Sequence, residues 1–238
     1  MYCLYIDSSL DGVGVACASF TTNPKPIFLA VCPQKFGSAG NLSLLVKQAK
    51  AHIGGAEFDQ IVITGGPGSF TGIKIGLGWL YGYVAADPTQ KPMMAQTSAL
   101  EAALFHLVAT NDYGRDLFLY WPLTRAHGFI ARYNAKTKQS SVILHEGSST
   151  SCEFGQLNEL FSQGVWIAAK QWDLFAASHA SLQISRVLTN EELLEYCLLG
   201  MIGQFSGKAE LFCDHLPKPN YMRKTTAEEN FELKSRKD

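Results

Sequence analysis

The residues most suggestive of chemistry lie in one run, Thr64-Gly65-Gly66-Pro67-Gly68-Ser69-Phe70-Thr71-Gly72-Ile73-Lys74. Glycines between an apolar strand and a helix let backbone N–H groups approach a phosphate, and the helix start that follows attracts anions. The spacing does not make a Walker A loop, because Ile73 separates Gly72 from Lys74 and no Ser or Thr follows the lysine. Nor does it make a nucleophile elbow, since Pro67 and Thr71 stand where glycines should flank Ser69. The run is therefore either an anion cradle or a tight turn in which Ser69 or Thr71 caps the next helix. Elsewhere the chemistry is sparse. No two of His52, His106, His127, His145, His179 and His215 are four apart, and a surface or capping role is expected for each of His106 and His127. Cys3, Cys17, Cys32, Cys152, Cys197 and Cys213 form no C-x-x-C pair and read as reduced thiols, mostly in the core. No nucleophile–base pair and no metal motif is legible, so neither catalytic residues nor metal ligands are expected.

The elements that must position the loop alternate between strand and helix. Tyr2 to Asp7 and Val13 to Phe20 read as a hairpin around Leu10-Asp11-Gly12, followed by a third strand from Ile27 to Cys32. Asn41 is a candidate N-cap for a helix with Leu42, Leu45, Val46, Ala49 and Ile53 on one face, stopped by Gly54. Ile61 to Thr64 is a buried strand feeding the glycine-rich loop, and residues 72–86 form a second helix closed by Asp87-Pro88. Gly72/Gly76 and Gly78/Gly82 are i,i+4 pairs in that helix, although each glycine costs up to about 1 kcal/mol against alanine. Ile75, Leu77, Trp79, Leu80, Tyr81, Tyr83 and Val84 leave it almost no polar face, so it must be covered on all sides, either by its own lobe or by another chain. Further along, Thr97 or Ser98 opens a helix through Leu107, and strands are expected at Leu117 to Trp121, Gly128 to Tyr133, Val142 to His145 and Val165 to Ala168. A short helix is expected around Leu157, Leu160 and Phe161, and Thr189-x-x-Glu192 is a capping box for a long helix through Phe205. The expected division is a first lobe over 1–97, a second over 98–215 and a charged tail over 216–238.

Composition bounds what such a chain can do. Its 20 Lys+Arg balance 21 Asp+Glu, and only 17% of its 238 residues are charged, against roughly 25% in an average soluble protein. With 47% hydrophobic residues it can bury a large core, which excludes a disordered chain. The balance of charge argues against a free-standing nucleic-acid binder. Low charge has two readings, a well-filled core or a surface covered by another protein. The N-terminus has no signal-like segment, and the most apolar stretch, Ile75 to Ala86, is well short of the roughly 20 residues a bilayer requires. The cytoplasm is the expected compartment, with no membrane partner.

Four motifs, in order along the chain, resemble one family. Gly66-Pro67-Gly68-Ser69-Phe70-Thr71-Gly72, continuing Ile73-Lys74-Ile75-Gly76, is similar to the hallmark block of the TsaB (YeaZ) family. Leu4-Tyr5-Ile6-Asp7-Ser8-Ser9 resembles its first strand, Thr97-Ser98-Ala99-Leu100-Glu101 its S-L-E helix start, and Pro219-Asn220-Tyr221-Met222-Arg223 its C-terminal motif. The resemblance is close in the N-terminal half and only in outline over 110–215.

The resemblance implies an α/β, two-lobed fold of the actin, sugar-kinase and heat-shock-chaperone (ASKHA) type, each lobe a mixed sheet with helices. It implies a non-catalytic subunit of the bacterial machinery that makes N6-threonylcarbamoyladenosine in tRNAs reading codons that start with A. In that family the transfer belongs to a TsaD-like subunit and a TsaE-like ATPase is the third partner. ATP and Mg would belong to those partners, tRNA would be met only through the complex, and a homodimer would form when the transferase is absent. Carried over to this chain, the docking helices imply an interface of Leu42, Leu45, Val46, Ala49, Ile53, Ile73, Gly76, Leu77, Leu80, Tyr81 and Val84. The alternative is a self-associating ATPase or small-molecule kinase of the same fold. Asp7 and Asp11 stand where related kinases hold Mg-nucleotide, yet Ser9 replaces the glycine normal in that hairpin. Around Pro122-Leu123-Thr124-Arg125-Ala126-His127-Gly128-Phe129 both acids of a common family block are missing, Lys35-Phe36-Gly37-Ser38 replaces a His-containing stretch, and Lys74 stands where Arg is common. The tail Lys218 to Asp238, with six basic side chains against four acidic, reads as a solvated segment.

Overall fold

Alternate residues of the first strand are apolar on both sides, so β1 (Tyr2–Asp7) must be covered on both faces. In the computed structural model it is the centre of a five-stranded sheet. The structure describes residues 1–33, 37–87, 89, 91–111, 113–122, 127–146, 164–169 and 184–220. β1 pairs antiparallel with β2 (Val13–Ser19), which pairs antiparallel with β3 (Pro26–Cys32). On its other side β1 pairs parallel with β4 (Gln60–Thr64), and β4 parallel with β5 (Met93–Thr97). The second sheet repeats this plan around β6 (Leu117–Pro122): β7 (His127–Asn134) and β8 (Gln139–Glu146) follow antiparallel on one side, and β9 (Val165–Ala169) and β10 (Ile184–Leu188) parallel on the other. The two sheets thus carry the same strand order, β3-β2-β1-β4-β5 and β8-β7-β6-β9-β10.

Helices fill the layers. α1 (Ser38–His52) and α2 (Phe70–Ala86) cover one face of the first sheet, where Leu4, Ile6, Val15, Ile61 and Ile63 meet Leu42, Val46, Ile73 and Leu80. The opposite face, with Cys3, Tyr5, Ala16 and Val62, meets α3 (Ala99–Thr110) and α4 (Asn190–Phe205), which also pack on Leu117, Leu119 and Trp121 of the second sheet. Read along the sequence, α4 falls in the second lobe; in space it lies against β1, β2 and β3 as well as against α3.

The expected strands and helices from β1 through β4 are present, with α2 starting at Phe70 and Ser69 as its N-cap. Asn41 is not an N-cap. α1 begins a turn earlier, after Gly37 in a left-handed conformation, and the Asn41 amide donates to Cys32 Sγ at 3.2 Å. Ser98 caps α3, and the capping box at Thr189 and Glu192 is complete. β5 and β10 are additional to the expected strands. The short helix around Leu157, the stretch 123–126, Lys35-Phe36, Cys152, His179 and the tail from Tyr221 lie outside the described residues.

Candidate partner-binding face and the glycine-rich loop

The loop is built against the end of β1. Ser69 N–H donates to Ser9 O at 2.6 Å, and Ser8 Oγ donates to Gly72 O at 2.9 Å. A Cβ on Gly68 would come within 2.7 Å of Ser9 Cβ, and one on Gly72 would run into the Ser8 carbonyl. Gly76 faces the Ser8 hydroxyl in the same way. The glycines of the block therefore let α2 and its loop lie directly on the Ser8-Ser9 backbone. Gly66 takes φ +110, where L side chains are strained, and a Cβ there would run into the Asn220 carbonyl oxygen. Pro67 is buried, Ser69 Oγ accepts from Gly72 N–H at 3.4 Å, and Thr71 and Phe70 face outward. Of the two readings of this loop, the tight turn capped by Ser69 describes these contacts. A cavity of about 250 Å³ remains beside it, lined by Ser8, Asp11, Ser38, Ser69, Thr71 and Ile75.

Asp7 is fully buried beneath the loop. Its Oδ1 accepts from Ser9 N–H at 3.1 Å, Ser9 Oγ at 2.8 Å and the Thr64 hydroxyl. Burial pushes its carboxyl above the usual carboxylate range, against the pull of those hydrogen bonds. The neighbouring hairpin is capped by α4: a Cβ on Gly12 would sit 2.9 Å from Leu194 Cδ1, and one on Gly14 3.0 Å from Leu198 Cδ1. Two leucines thus press on the turn that follows Asp7.

The expected interface needs correction. Leu42, Leu45, Val46, Ala49, Ile53, Ile73, Leu77 and Leu80 are buried in the first lobe's own core, and Gly76 is buried against Ser8. The most regular apolar stripe of an amphipathic helix faces its own sheet, and most residues of the carried-over interface lie on that stripe. Only Tyr81 among them is exposed, at 39%, with Val84 half-buried.

The outward face of α2 is made instead by Phe70, Thr71, Lys74, Gly78, Tyr81, Gly82 and Ala85. Lys74 Nζ lies 4.0 Å from the Phe70 ring centroid. A Cβ on Gly78 or Gly82 would meet none of the described residues within 4 Å. On α1, Leu44 is 54% exposed. The two glycine pairs therefore differ: Gly72/Gly76 serve the fold, and Gly78/Gly82 face open space. Sequence reasoning noted both pairs and missed Leu44 altogether, because an isolated outward leucine breaks the helical stripe. Beside this face Trp79 stacks on Tyr83 at 5.2 Å, and Tyr83 donates to Glu57 Oε2 at 2.9 Å. Hydrogen bonds from Lys50 and then Tyr83 hold the Glu57 carboxyl below its usual range.

The C-terminal segment returns to the same region. Met94 N–H donates to Cys213 O at 2.7 Å and Cys213 N–H to Met94 O at 2.8 Å, so the segment pairs with β5. Tyr81 Oη donates to Pro217 O at 2.7 Å, and Asn220 N–H donates to Gly65 O at 2.7 Å.

The duplicated sheet with helices between its halves defines the two-lobed fold shared by actin, sugar kinases and heat-shock chaperones. Within that class the chain has a YeaZ-like fold. It is similar to YeaZ from Pseudomonas aeruginosa, with a TM-score of 0.63, 16% identity, and coverage of 93% of this chain and 99% of that one. A second structure, described as an uncharacterized protein with similarity to peptidase YEAZ from Pseudomonas aeruginosa, matches with a TM-score of 0.63, 15% identity and the same coverage. No family model and no curated protein matches the sequence. Among the described residues, no helix is long and apolar enough to cross a membrane, and no three His, Cys, Asp or Glu side chains form a group that could hold a metal ion.

Proposed function

We propose that this chain is a non-catalytic subunit that docks a larger transferase of related fold through the outward face of α1 and α2. The observation that carries the reading is the Gly78/Gly82 pair. Each glycine weakens an exposed helix position by about 1 kcal/mol relative to alanine, and a Cβ at either would meet none of the described residues within 4 Å. Glycines i and i+4 on an open helix face, with Tyr81, Phe70 and Leu44 around them, suit the close approach of another chain's backbone.

The identity of the partner rests on the four motifs and on the YeaZ-like fold. On that reading the partner is a TsaD-like transferase acting with a TsaE-like ATPase in the cytoplasm, and the product is N6-threonylcarbamoyladenosine in tRNA. Nucleotide and magnesium are taken by the partners, and tRNA is met only in the complex. Two features support a supporting role over the kinase alternative: Asp7 is sealed from solvent, and Leu194 and Leu198 press on the turn beyond it. Without the transferase, the same face pairs two copies of this chain.

Reconstitution tests the reading. Modified adenosine on tRNA is measured with transferase, ATPase and ATP, with this chain included or omitted, and the complex is weighed by sedimentation. Gly78→Arg is expected to remove the heterodimer and the modification while circular dichroism stays unchanged. Full modification without the chain, or an unaffected complex with the variant, would sink the proposal.

A further inference from the structure

A second cavity is unrelated to the α1/α2 face. It lies in the second lobe, between the C-terminal end of α3, the loop leading to β6 and the β7–β8 turn, and measures about 490 Å³. That is within the roughly 300–1,000 Å³ of small-molecule sites. Its chemistry comes from Arg115, Lys138, Tyr113, Tyr133 and Asn111.

Arg115 and Lys138 supply two exposed cations, and among the described residues neither makes an ion pair. The acid next to Arg115 is already engaged: Asp116 Oδ2 accepts from Arg132 Nη2 at 2.7 Å and Nε at 3.1 Å, and its Oδ1 accepts from Ala135 N–H at 3.0 Å. Lys138 adds an independent observation. It has φ +57, the one positive φ outside glycine among the described residues. The turn that imposes it is firmly held, since Asn134 Oδ1 accepts from Lys136 and Thr137 N–H and Asn134 O accepts from Lys138 N–H at 2.8 Å. Glycine or asparagine suits such a position, and a residue kept there against that preference points to use of its side chain. Lys138 lines the same cavity as Arg115.

The remaining walls are suited to a ring. Tyr113 and Tyr133 are half-buried and line the cavity. The Asn111 amide donates to Leu107 O and Thr110 Oγ1, which leaves its Oδ1 to accept from a ligand. Arg and Lys together bind a phosphate, and aromatic faces stack on planar heterocycles. The end of α3 is the negative pole of its dipole, which places the phosphate at the Arg115/Lys138 side and the ring toward the helix. We propose that this cavity binds a small phosphate monoester carrying a planar ring, of the nucleoside monophosphate class.

The alternative is that both cations only balance the α3 terminus and the turn. Calorimetric titration of the full chain separates the two, with guanosine and uridine 5′-monophosphates as probes and inorganic phosphate and free guanosine as half-ligands. At least one monophosphate is expected to bind saturably with one-to-one stoichiometry and more tightly than either of its halves. Arg115→Ala and Lys138→Gly should each weaken it about tenfold, the scale of one charge-assisted contact. Lys138→Gly should also raise the melting temperature, because glycine relaxes the left-handed turn. Absence of saturable binding by both monophosphates would overturn the proposal, as would affinity unchanged in both variants or equal affinity for phosphate and nucleotide. No partner protein is present in the titration, so its outcome is separate from that of the docking proposal.

Discussion

Asp7 and Gly72, from the first and second of the four motifs along the chain, hold the same junction by different means. Asp7 holds the end of β1 to Ser9 and Thr64 with a carboxyl that burial makes harder to ionise. Its folded-state pKa is raised, so the native state holds the proton more tightly than the unfolded chain. The Asp7 contribution therefore favours folding below the unfolded carboxylate range and is lost as pH rises through the raised folded value. Asp7→Asn should remove that loss and stabilise the chain at neutral pH with little gain in acid, as urea midpoints at the two pH values would reveal. Gly72→Ala should do the reverse at every pH. Its methyl group would meet the Ser8 carbonyl, a backbone atom with no room to yield, at a cost of about 2–3 kcal/mol in the same assay. At this scale the sequence was legible in type and not in purpose: the glycines were plain, but only the contacts of Ser8 and Ser9 distinguish a packed turn from an anion cradle.

The two faces of α2 give opposite expectations from one kind of substitution. Gly78→Ala and Gly82→Ala should each stabilise the isolated chain by about 1 kcal/mol in thermal melts, since the added methyl meets nothing and the helix gains propensity. The same variants should bind the proposed transferase more weakly in sedimentation, so stability and association move in opposite directions. For α4, Thr189→Ala should cost about 1 kcal/mol by removing a complete capping box. Helices whose ends carry their own chemistry, Ser98 at α3 and Thr189 at α4, were readable from sequence because the cap is local. β5 and β10 were not. Met93 to Thr97 carries no strong strand pattern, and its pairing is decided by β4 and by Cys213, far away in the chain. The orientation of α2 was hidden for a related reason: with apolar residues all round, only the position of the sheet decides which stripe is core.

For the whole molecule, the repeated strand order makes two similar halves, and α3 and α4 between them bury Tyr5, Trp121 and the leucines of both sheets in one continuous core. The strand-and-helix alternation was legible residue by residue and the two-lobed class followed from the resemblance of the four motifs, whereas the wrapping of the last segment onto the first lobe left no local trace. Phe212 anchors that wrapping between Phe20, at 5.8 Å, and Phe205, at 5.7 Å. Phe212→Ala should lower stability by about 3 kcal/mol, with faster hydrogen exchange at the Met94 and Asn220 amides than at β1. The low charge of the chain fits this shared core, together with a small outward face on α2 that the described residues leave uncovered. The return of the C-terminal segment has a consequence for synthesis. Cys213 lies 119 residues beyond the Met94 it pairs with, so a ribosome finishes the first lobe's sequence long before it makes the segment that pairs with its edge. Until then the nascent first lobe carries an open sheet border and a glycine loop without its Asn220 contact. That makes the interval of translation between the two lobes the time when this chain is most exposed to mispairing and to chaperone capture.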